Sequence, residues 1–140
     1  MRRTLITLVV SAVALVAVFA ANAATAAKTA KFEIALKGSN EGAPASNTGK
    51  VELTLNTATG KVCWDFKLAK IDGKPSQAHI HKGKAGVSGN VVVPLGANYK
   101  RQGCTSAAKS LVKSIAGHPA AYYVNVHNAK HPLGAMRGQL

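Results

Sequence analysis

Short runs in which apolar and polar residues alternate, each closed by glycine, proline, asparagine or serine, recur from Lys31 to the C-terminus. A strand turns successive side chains to opposite faces, so such a run buries one face and solvates the other. Phe32, Ile34 and Leu36 share one side of residues 31–36. Val51, Leu53 and Leu55 repeat the pattern, and Thr57-Ala58-Thr59-Gly60 joins them to a run in which Val62, Trp64, Phe66 and Leu68 share a face. This predicts a hairpin of 51–56 with 61–69. Further strands are expected over 78–82, 90–95, 120–127 and 134–140, with loops at 38–49, 71–77 and 130–134. Residues 105–116 differ: Ala108, Leu111, Val112 and Ile115 recur at helical spacing, Thr105 or Ser106 is available as a cap, and Gly117 as a stop. The pattern predicts an all-β protein: an antiparallel, Greek-key-like β-sandwich over residues 27–140 with one short helix.

The first 26 residues have another character. Arg2 and Arg3 precede an apolar stretch from Leu5 to Ala21, broken only by Thr7 and Ser11, and Ala21-Asn22-Ala23 and Ala24-Thr25-Ala26 follow. A basic start, an apolar centre and small-x-small sites form a cleavable secretory leader. The stretch approaches the ~20 residues of a membrane span, but the two cleavage-type sites favour removal. The expected product is a secreted or periplasmic protein of about 115 residues, one domain by size, with no span left after cleavage.

The full chain carries 18 basic and 5 acidic residues, a net charge of +13. Loss of Arg2 and Arg3 with the leader leaves +11. That charge favours an anionic partner, such as an acidic envelope polymer, or an extracytoplasmic protein. Nucleic acid is not expected, because the lysines are scattered from Lys28 to Lys130 and few aromatic residues lie between them for base stacking. Cys63 and Cys104 are the only cysteines. A pair in an exported chain reads as one disulfide. The alternation sets Cys63 on the outer face of its strand, to be reached by Cys104 from a loop lying over that face. A thiolate metal site with His79 or His81 is the rival.

Five acidic residues provide no carboxylate pair for glycoside chemistry, no serine sits on a nucleophile elbow, and no phosphate-cradling glycine loop opens a helix. Histidines are the remaining candidates. His79 and His81 in Ala78-His79-Ile80-His81 project from one side of a strand, about 7 Å apart at ~3.3 Å per residue. Tyr123, Asn125 and His127 likewise share a face. Neighbouring strands would bring three imidazoles to one patch. Neutral imidazoles suit copper or zinc, with His131 beyond the turn as a further ligand. In the alternative, the histidines hydrogen-bond across strands to Tyr123, Asn125 and Arg137, with no metal or other cofactor. Arg137, set among small residues, is suited to fixing an anion or to a salt bridge with Glu33, Glu41 or Asp65.

The blocks Leu36-Lys37-Gly38-Ser39-Asn40-Glu41 with Pro44, Thr59-Gly60, Ala78-His79-Ile80-His81-Lys82-Gly83, Gly89-Asn90-Val91-Val92-Val93, Tyr123-Val124-Asn125-Val126-His127 and Gly134-Ala135-Met136-Arg137-Gly138-Gln139-Leu140 resemble, in order and spacing, the chordin-type (CHRD) domain. The resemblance runs from Phe32 to Leu140. It implies the small exported bacterial type, one leader and one domain. The function expected of the chain is a non-enzymatic extracytoplasmic binding module, with a mononuclear copper or zinc protein on the histidines as the alternative. A more distant likeness to copper-zinc superoxide dismutase rests on a His-x-His strand in a β-sandwich with a later histidine. It implies His79, His81 and His127 as copper ligands and a redox activity. Residues 83–103 hold no histidine or aspartate for a bridging ligand or a zinc site, so a bimetallic dismutase is not expected.

Overall fold

The computed structural model describes residues 28–140; the expected leader, 1–26, lies outside the described residues. Eight strands form one antiparallel sheet: β1 (Thr29–Lys37), β2 (Thr48–Asn56), β3 (Lys61–Lys70), β4 (Pro75–Lys82), β5 (Val91–Pro94), β6 (Gln102–Ser106), β7 (Tyr122–Asn128) and β8 (Met136–Gln139). Their order across the sheet is β5-β4-β7-β8-β1-β2-β3-β6. The sheet curls on itself, so that Ile80 and Val93 near one end share a single core with Val62, Trp64 and Phe66 near the other. The all-β, antiparallel class read from the alternation holds, in one nearly closed sheet with one short helix. Among the described residues no helix is long and apolar enough to cross a membrane.

The strands follow from their alternation. Ile34 and Leu36 of β1, Val51, Leu53 and Leu55 of β2, and Val62, Trp64 and Phe66 of β3 are all buried. The β2–β3 hairpin turns where predicted. Asn56 Oδ1 accepts from the Ala58 and Thr59 amides, both at 3.0 Å, and Gly60 takes φ +81°, a left-handed backbone that favours glycine. β4 is longer than expected, since Pro75 and Gln77 pair with β7 instead of lying in the loop.

The segment after Gly103 corrects the helix expectation. α1 spans Lys109–Gly117, and Thr105 and Ser106, expected as its cap, belong to β6. Its N-cap is Ala108, with no side-chain cap. The reason is tertiary. Gln102–Ser106 pairs residue by residue with β3, and Cys104 stands directly opposite Cys63. The Cys63–Cys104 disulfide forms, with Cα atoms 4.0 Å apart, but its partner lies on a neighbouring strand and not in a loop over the face. Nothing in Gln-Gly-Cys-Thr-Ser alternates, so no local signal marks this strand. Val112 and Ile115 then anchor α1 in the core, the face its helical spacing predicts.

Candidate metal centre

β4 and β7 are neighbours, and their register sets His79 opposite Asn125, His81 opposite Tyr123 and Gln77 opposite His127. Ala78 and Ile80 take the core side of β4, so His79 and His81 stand on the outer face with Tyr123, Asn125 and His127. One ring nitrogen from each of His79, His81 and His127 lies within 4.8 Å of the other two. Among the described residues this is the one group of three or more such side chains that converges. His131 stands apart from it, with Nε2 2.9 Å from Asp72 Oδ2. Asp72 is further tied to Asn47 Nδ2 at 2.7 Å, and these contacts hold its carboxyl below the usual range.

Hydrogen bonds define the tautomers. His81 Nδ1 lies 2.9 Å from the Gly89 carbonyl and His127 Nδ1 2.9 Å from the Pro132 carbonyl. A carbonyl only accepts, so both Nδ1 atoms carry hydrogen and both Nε2 atoms present lone pairs. His79 Nδ1 then donates to His127 Nε2 at 3.1 Å. His81 Nε2 is buried with no protein partner. An imidazole that donates one nitrogen to a backbone carbonyl and presents the other is oriented as metal-ligating histidines are. Nitrogens bound at ~2.0–2.1 Å around a tetrahedral ion stand roughly 3.4 Å apart, so the three rings, now within 4.8 Å, would draw closer around an ion.

Burial favours the neutral form of His79 and His81. It is the main cause that lowers the His79 pKa from 6.5 to about 4, with the His127 and His81 charges adding to it. Burial also lowers that of His81, against the Gly89 hydrogen bond, which raises it. A folded-state pKa below the unfolded value means that the unfolded chain binds more protons between pH 6.5 and about 4. Stability therefore falls as pH drops through that window. Urea unfolding of the metal-free protein should show this fall, and a His79→Gln variant should show a flatter profile; equal slopes would contradict the assignment.

A second layer supports the rings. The Tyr123 ring stacks on His81, with centroids 4.8 Å apart and planes 10° apart, and Arg137 Cζ lies 3.3 Å from the Tyr123 ring centroid. Arg137 is 4 % exposed. It donates to the Lys84 carbonyl at 2.7 Å, and its Nη1 stands 4.0 Å from Glu41. Of the three acids open to Arg137, Glu41 is thus the partner; Glu33 and Asp65 pair with Lys50 and Arg101. Burial raises the Glu41 pKa, opposed by Asn125, Arg137 and His127. The bond between Glu41 and Asn125 escaped the sequence because the two lie 84 residues apart, with Glu41 in a stretch legible only as a loop. The carbonyls of Gly89 and Pro132 escaped because backbone acceptors have no residue signature.

No match was found among curated proteins or among solved structures, so the likeness to copper-zinc superoxide dismutase gains nothing from these comparisons. The family model for the CHRD domain matches residues 32–140, which take in all eight strands apart from the first residues of β1 and every residue of the histidine site. With that match over most of its length, the chain belongs to the CHRD domain family.

Proposed function

We propose that this chain is an exported, non-catalytic binding module whose ligand is one transition-metal ion, copper in preference to zinc, held by His79, His81 and His127. The observation that carries this reading is His81 Nε2, a buried lone pair with no protein partner. Leaving such an atom unsatisfied costs about 1–3 kcal/mol, and a cation shared with two other imidazoles removes that cost. The rings sit on rigid strands, so little ordering is needed on binding. Imidazole accepts either metal, and the order of divalent affinities places copper(II) above zinc(II). The disulfide agrees with an oxidising compartment, secreted or periplasmic.

Purified protein should take up one equivalent of copper(II), measured by metal analysis after dialysis, and bind it at least tenfold more tightly than zinc(II). Combined His79→Ala and His81→Ala substitution should abolish uptake while circular dichroism stays unchanged. No binding at micromolar metal would reject the reading. A second reading draws on the charge balance. Each of the five carboxylates lies within 4.0 Å of a basic group, which leaves the other lysines without carboxylate partners among the described residues. Salt-sensitive retention on acidic polymers by a variant that binds no metal would favour an anionic envelope partner.

A further inference from the structure

Asn125 presents the second unsatisfied atom of this site. Its Nδ2 lies 3.3 Å from Glu41 Oε1 and 3.3 Å from the Leu133 carbonyl. Both of these are acceptors, so the nitrogen must face them and the amide orientation is settled. Oδ1 is left on the opposite side of the amide, buried and without a protein partner, on a residue 2 % exposed. Asn125 is the cross-strand neighbour of His79, and it lies between Tyr123 and His127 on the same face of β7. Directly opposed residues of an antiparallel pair have Cβ atoms about 4.5–5.5 Å apart.

The patch is therefore rich in acceptors and short of donors. In the metal-free site the imidazole hydrogens at His81 and His127 are given to carbonyls and that of His79 to His127 Nε2, a bond that gives way when a cation takes that nitrogen. A cation satisfies nitrogen lone pairs but does nothing for an amide oxygen in need of a hydrogen. A water bound to that cation does both, because the metal takes its lone pair and sharpens its O–H as a donor.

We propose that Asn125 is a positioning residue which holds a protic oxygen ligand, water or hydroxide, in the fourth position of the metal centre, with Glu41 and the Leu133 carbonyl fixing its amide. This rests on the metal reading above. The site thereby selects among small exogenous ligands: one that brings a hydrogen keeps the Asn125 bond, and an aprotic anion forfeits it.

Copper(II)-loaded full-length protein tests this in two ways. Electron–nuclear double resonance in H2O and D2O should show a strongly coupled exchangeable proton, beyond those of the imidazole N–H groups. Azide titration at saturating copper should give roughly five- to tenfold tighter azide binding in Asn125→Leu than in the unaltered protein, at the same copper stoichiometry, since the displaced water has lost one hydrogen bond. A copper-loaded protein without that proton, as direct ligation by Oδ1 would produce, overturns the proposal, and so does equal azide affinity in the two proteins. If Asn125→Leu fails to fold or to hold copper, the proton measurement on the unaltered protein decides. Absence of copper uptake by the unaltered protein would instead remove the proposed function itself.

Discussion

Replacement of both Cys63 and Cys104 by serine is expected to lower the unfolding free energy by about 4 kcal/mol, the loop-closure entropy of a bridge whose ends are 41 residues apart. For a domain of this size that is roughly 15 °C in Tm. The structure gives the loss a location. β6 is an edge strand whose residues are all exposed or half-buried. Besides its ladder to β3 and the disulfide, it is held by the approach of Gly103 to the Trp64 ring, so close that a Cβ at 103 would stand 2.8 Å from Trp64 Cζ2. The Trp64 indole also donates to the Lys100 carbonyl at 2.9 Å. Hydrogen exchange should therefore quicken first at the amides of residues 102–106, while those of β4 and β7 stay protected. A change below 1 kcal/mol, or exchange spread evenly over the sheet, would show that β6 does not depend on the bridge. The histidine site lies on strands at the other end of the sheet order, so metal uptake by the folded serine variant should be unchanged.

The second large effect is expected from one methyl group. Gly138→Ala should cost about 3 kcal/mol or more, because the added Cβ has nowhere to go. It would fall within overlap of the Ala35 carbonyl oxygen and 2.5 Å from Ile34 Cγ2. Both obstacles belong to β1, one a rigid backbone atom and the other a side chain packed in the core. β8 has only four residues, and it is the strand that joins β7 to β1. Displacing it separates the half of the sheet that carries the histidines from the half that carries Trp64 and Phe66. Arg137 would move with it, and Tyr123 would lose the guanidinium that covers its ring. Chemical unfolding should show a lowered midpoint, and near-ultraviolet dichroism a changed tyrosine environment. An unfolding free energy within about 0.5 kcal/mol of that of the unaltered protein would mean that β1 and β8 separate freely, contrary to this packing.

Much of the site follows from parity along a strand. His79 and His81, and Tyr123, Asn125 and His127, had to share faces because side chains alternate with period two, and Ala78, Ile80, Val124 and Val126 had to take the other face because they are apolar. Faces, turns such as Asn56–Gly60 and the helical stripe of Val112 and Ile115 are properties of a few consecutive residues, so the chain alone determines them. Adjacency is different. His79 meets His127 across 48 residues, and Asn125 meets Glu41 across 84, because β7 lies between β4 and β8. That order arises from the joint burial of one core by strands remote in sequence, a collective free energy that no local window contains. The same cause turned residues 102–106 into a strand against their own weak pattern, moved the start of α1 to Lys109, drew His131 to Asp72, and made Gly138 a contact point with β1. Local alternation determined which way each imidazole points; only the tertiary packing decided which imidazoles meet, and which carbonyls leave their lone pairs free.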